Sequence, residues 1–70
     1  MKLRTWRKRR DMTQGQLAGF LGVTRRTIIR YEMGHIIPAA AQLREIEHRT
    51  EGMVKPADWF RLVKARESAA

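Results

Sequence analysis

Apolar positions recur at helical spacing along the chain, and most densely in residues 14–33, QGQLAGFLGVTRRTIIRYEM. Leu17, Ala18, Phe20 and Leu21 share a face of one short helix. Gly22 follows at once and accepts the left-handed backbone that a helix end needs. Val23 gives the turn an apolar plug, and Thr24 suits the N-cap of a second helix beginning at Arg25. On that helix Ile28, Tyr31 and Glu32 share one side, while Arg25, Arg26, Ile29, Arg30 and Met33 share the other. A helix whose apolar side is used in packing and whose remainder is lined with arginine is suited to face a polyanion.

The same periodicity organises the flanks. Leu3 to Arg10 reads as a first helix with Leu3, Trp6, Arg7 and Arg10 on one side. Lys8, Arg9 and Arg10 stand at its C-terminal end, where the dipole favours cations. Thr13 and Gln16 are spaced as a capping box for the helix that follows. Gly34 is expected to cap the helix that begins at Arg25, His35–Ile36–Ile37 to form a short loop, and Pro38 to start a fourth helix. Ala39, Leu43 and Ile46 give that helix an apolar stripe. Gly52 supplies positive φ to the next turn, and Pro56, Ala57 and Asp58 make a good start for a last helix. Trp59 and Phe60 are adjacent there and point about 100° apart. Either both serve the core, or one plugs it while the other meets a second subunit together with Val63. The pattern predicts an all-α, compact five-helix domain over residues 1–67, with its helix-turn-helix at helices 2 and 3 and a frayed tail at 68–70.

Composition sharpens this picture. Seventy residues make one domain with a small core, and the absence of cysteine excludes disulfides and thiolate metal sites. The formal charge is +8, and eleven of the fifteen cations are arginine. Such a balance points to a polyanionic partner and to fast, salt-sensitive association. No apolar run approaches a membrane span and the N-terminus carries no signal-peptide core, so a cytoplasmic protein is expected. The two histidines lie on different segments, and no carboxylate pair or Gly-rich phosphate loop stands out. No enzyme activity, metal or cofactor is therefore expected.

Ala18, Gly22 four residues later, then Ile28 and Tyr31, followed by Glu32-x-Gly34-x-x-x-Pro38, resemble the lambda-repressor and Cro-like helix-turn-helix family. The resemblance spans roughly Leu3 to Phe60, and TEGMVKPADWF (50–60) is similar to the tail of small Cro-like regulators. Glu51 departs from the glycine often found in that tail. The resemblance implies a contact from Gln14 to a DNA phosphate, and a loop role of the same kind for His35. It also implies a largely desolvated Arg7–Glu32 pair joining the first and third helices. Gln16 and Thr27 are further phosphate candidates. Base edges are within the expected reach of Thr24, Arg25, Arg26, Ile29 and Arg30. Arginine makes bidentate pairs with guanine, and Ile29 suits a thymine methyl. Which arginine reads a base and which holds phosphate stays open.

The function expected is a sequence-specific DNA-binding transcriptional regulator: a homodimeric, autoregulatory repressor of phage or mobile-element type on a pseudo-palindromic duplex operator. An antitoxin that binds a protein toxin and represses its own operon is the alternative. An architectural or RNA-binding basic protein is a third reading, separable by its lack of sequence preference. An ordinary antiparallel helix pair is the purely structural reading of the same spacing.

Overall fold

The computed structural model describes residues 1–60. Four helices follow in order, α1 (Leu3–Arg9), α2 (Gln14–Leu21), α3 (Arg25–Glu32) and α4 (Ala40–Arg49), and residues 56–60 open a fifth. Leu62, Val63, Arg61, Lys64, Arg66 and the expected fraying at 68–70 lie outside the described residues.

The α2–α3 corner is built from local signals. Thr13 Oγ1 accepts the Gln16 N–H and Gln16 Oε1 accepts the Thr13 N–H, a complete capping box. At the other end Gly22 adopts φ 71°, and the Val23 N–H returns to the Ala18 carbonyl at 2.9 Å. Thr24 is extended and its hydroxyl accepts the Thr27 N–H, which starts α3. A Cβ built on Gly22 would meet nothing within 4 Å, so only backbone conformation resists a side chain there. Gly22→Ala is expected to cost about 1–2 kcal/mol of unfolding free energy in a urea titration.

The core gathers Leu3 and Trp6 from α1, Leu17, Ala18 and Leu21 from α2, Ile28 and Tyr31 from α3, and Ile46 from α4. Val54 and Trp59 close it from the C-terminal side, with Trp59 edge-on to Tyr31 at 5.3 Å between ring centroids. Thr50 carries the chain into that closure. Its buried hydroxyl donates to Ile46 O at 2.7 Å and accepts the Val54 N–H at 3.1 Å. The turn needs two left-handed residues in succession, Glu51 at φ 55° and Gly52 at φ 79°, where Gly52 alone was expected. The N-terminal ammonium of Met1 reaches the same region, 2.6 Å from Asp58 Oδ2 and 2.9 Å from Met53 O.

Three local expectations are corrected. Phe20 leaves the core and stacks on Trp6 with centroids 5.8 Å apart, because Leu17, Ala18 and Leu21 already fill the inward arc of α2. α3 ends at Glu32 with Met33 as its C-cap, and Gly34 stands one residue beyond at φ 75°. The fourth helix starts at Ala40, since Ala39 is extended at ψ 161°, and Pro38 is buried two residues before it rather than in its first turn.

Burial raises the Tyr31 phenol above its ordinary pKa of 10.0. A raised value in the native state means that the folded chain keeps the proton longer than the unfolded one. The associated stability is whole below pH 10 and is lost as pH rises through the folded value. Tyr31 is the single tyrosine of the sequence. Its ultraviolet absorbance titration should therefore have a midpoint above 10 in the native protein and return to about 10 in denaturant.

Candidate nucleic-acid interface

The α2–α3 corner fixes which residues of α3 face out. Ile28 and Tyr31 are buried against α2 and the core, so Arg25, Arg26 and Arg30 are exposed and Ile29 is half-buried between them. The spiral runs on through Met33, whose N–H bonds Ile29 O at 3.0 Å and whose side chain is 60% exposed. Among the described residues the ion pairs are Met1–Asp58, Arg7–Glu32 and Arg49–Glu45, and none takes an arginine of α3. Three guanidinium groups thus stand on one face with their charge available to a ligand.

A second feature adjoins that face. Arg7, Thr13, Gln14, Gly15 and Arg25 line one open cleft between the start of α2 and the start of α3. The free N–H groups and positive dipole end of α2 meet the unpaired Arg25 there, beside an Arg7 already neutralised by Glu32, an arrangement suited to a phosphate. Arg25 therefore keeps company with the α2 N-terminus, while Arg26 and Arg30 lie farther round the helix.

Behind the cleft, a charged network joins three helices' ends. Arg7 grips Glu32 through two parallel bonds, Nε to Oε2 at 2.7 Å and Nη2 to Oε1 at 3.0 Å. The side chains are 12% and 4% exposed. Arg7 Nη1 also donates to Met12 O at 2.9 Å, just before the α2 cap, and Gln14 Nε2 donates to Glu32 Oε1 at 3.3 Å. The hydrogen bond to Glu32 holds the Arg7 guanidinium above its usual pKa, against a smaller opposing effect of burial. Arg10, the second arginine on the same side of α1, lies 5.0 Å from the Trp6 ring centroid instead of beside a carboxylate. Arg49 caps the other end of the stack, 5.8 Å from the Phe20 ring, and donates to Phe20 O.

The remaining site candidates divide. The Thr24 hydroxyl is engaged with the Thr27 N–H and lies 3.0 Å from Thr27 Oγ1, so both threonines are tied into the helix start. The Gln16 carboxamide oxygen is committed to the cap. Gln14 is half-buried and turned toward Glu32. His35 is exposed just past Gly34, with its backbone N–H on Arg30 O at 3.0 Å. Trp59 and Phe60, both named as interface candidates, separate sharply. Trp59 is 4% exposed and belongs to the core, whereas Phe60 is 59% exposed. The tryptophan therefore has almost no surface to offer a second subunit. Sequence reasoning did not single out the cleft company of Arg25 or the Gln14–Glu32 bond, because both depend on how α2 and α3 cross.

Residues 3–51 match a family model described as helix-turn-helix. No curated protein and no solved structure matches the chain.

Proposed function

The chain belongs to the lambda-repressor/Cro-like helix-turn-helix family of DNA-binding transcriptional regulators, and from that premise we propose a homodimeric repressor that reads a pseudo-palindromic operator with α3. The observation that carries this reading is the outward face of α3, where Arg25, Arg26 and Arg30 have no carboxylate partner among the described ion pairs. Arg26, Ile29 and Arg30, with Thr24 at the helix start, meet base edges in the major groove. Arg25 shares its cleft with Gln14 and the α2 N-terminus and holds a phosphate, which sets the register without reading sequence. Gln16, Thr27 and His35 flank the same backbone path.

Two such faces fit successive major grooves when they are roughly 34 Å apart. Phe60, exposed beside the core-filling Trp59, is the described residue best placed to join the two copies. A bound dimer acts by occupying promoter DNA. Selection of bound sites from random duplexes tests the whole reading. The expected return is two inverted half-sites with centres about 10 base pairs apart. No common sequence at moderate ionic strength would overturn it. For the dimer, sedimentation equilibrium is expected to show self-association that Phe60→Ala abolishes; a monomer far above the DNA affinity would refute it.

A further inference from the structure

The outward face of α3 is not uniformly cationic. Ile29 is half-buried in its middle, and Met33 is one turn farther along with most of its side chain in water. Isolated apolar side chains on a surface need no explanation. Two that follow one another along the helix, with Arg25 round one side and Arg26 and Arg30 round the other, form a strip, and the flanking arginines dictate what can cover it. A protein patch with enough apolar surface would have to desolvate those guanidinium groups, whereas a DNA groove supplies phosphates and guanine acceptors to them. What the groove offers to the strip is limited: the only apolar group on the major-groove edge of a standard base pair is the thymine C5-methyl.

We propose that Ile29 and Met33 together form a methyl-reading strip, selecting 5-methylpyrimidines at two positions of each half-site. This rests on the DNA-reading assignment of α3. The two residues are four apart, about 6 Å along the helix. Successive bases rise about 3.4 Å, so the paired methyls fall one or two base pairs apart. Met33 is the second specificity residue, and its flexible thioether chain adapts to a groove wall better than a branched side chain would. The continuation of the helical spiral through its N–H bond to Ile29 O is what keeps it on this line.

The test uses the half-site returned by selection, with each thymine replaced in turn by deoxyuridine. That exchange removes the methyl and leaves every hydrogen-bonding group of the base pair in place. Affinity is expected to fall about fourfold at each of two nearby positions, the equivalent of ~0.8 kcal/mol for one buried methyl-sized group. In Met33→Ala the loss at one position should disappear, and in Ile29→Ala the loss at the other. 5-Methylcytosine placed at those positions in a uracil-containing site should recover part of the binding through its own methyl. Equal affinity for thymine and uracil duplexes at every position overturns the strip while leaving the DNA-reading assignment intact. A protein that prefers no duplex fails earlier, and takes both proposals with it. Met33 is a surface residue at a helix end, so its variant folds, and far-ultraviolet circular dichroism verifies this for both.

Discussion

Glu32→Ala is expected to lose about 3–5 kcal/mol of unfolding free energy, enough to leave much of a domain this small unfolded at room temperature. The reason is what remains behind. Arg7 is 12% exposed, and without Glu32 its guanidinium keeps one bond to Met12 O and loses the two that neutralise it. A buried cation stripped of its partner costs far more than the intact pair contributes. Glu32→Gln should fall between wild type and Glu32→Ala, since an amide oxygen can accept one of the two guanidinium bonds. Arg7→Lys should also be damaging, because a point ammonium cannot reproduce the fork on Glu32 and the bond to Met12 O together. Urea titrations of the four proteins give the order directly. If Glu32→Ala unfolds at the wild-type midpoint, the network does not hold the fold. Its effect on DNA binding should exceed its effect on the helices. Gln14 loses its bond to Glu32 and Arg7 is no longer held against α3, so the cleft loosens even in the fraction that folds.

How much of this was legible beforehand depended on the range of the interaction involved. The α2–α3 corner is specified by neighbours in sequence: Thr13 with Gln16, Gly22 with Val23, Thr24 with Thr27. Such signals survive without knowledge of the rest of the chain. The Arg7–Glu32 pair spans 25 residues, and it could be anticipated because the resemblance to the helix-turn-helix family singled out Arg7, of the two arginines on that side of α1, as the partner of Glu32. Phe20 was misplaced because a face defined by spacing is wider than the arc the core covers. Measured round the helix, Leu17, Leu21 and Ala18 fall within about 100°, and Phe20 lies about 60° outside them. Trp59 and Phe60 could not be ranked because adjacency puts one of two aromatic rings inward without saying which. Pro38 followed a general preference for the first helical turn, which the extended Ala39 overrode. The cleft at Arg25 lay beyond sequence reasoning altogether, since it exists only where two helix starts converge in space.

That cleft separates two arginines that look equivalent in sequence, and their substitutions should behave differently. Arg30→Ala is expected to weaken binding to the selected operator by about 1–3 kcal/mol, roughly a 5- to 150-fold loss, and to relax preference at one guanine. Its affinity for unrelated duplexes should change much less. Arg25→Ala should weaken operator and unrelated DNA by a similar factor, and should reduce the dependence of log affinity on log salt by about one. Arg26 follows Arg30, because both lie on the outermost arc of α3, whereas Arg25 lines the cleft with Arg7 and Gly15. The double variant Arg26→Ala/Arg30→Ala has the largest expected effect on function. Two lost base contacts would remove about 2–6 kcal/mol if they act independently, bringing operator binding close to the non-specific level. Binding isotherms at several salt concentrations, on the operator and on a scrambled duplex, measure all four quantities. Should Arg25→Ala instead discriminate among bases while Arg30→Ala weakens all duplexes alike, then the α2 N-terminal cleft does not hold the phosphate and the register of α3 in the groove must be rotated toward its Arg25 edge.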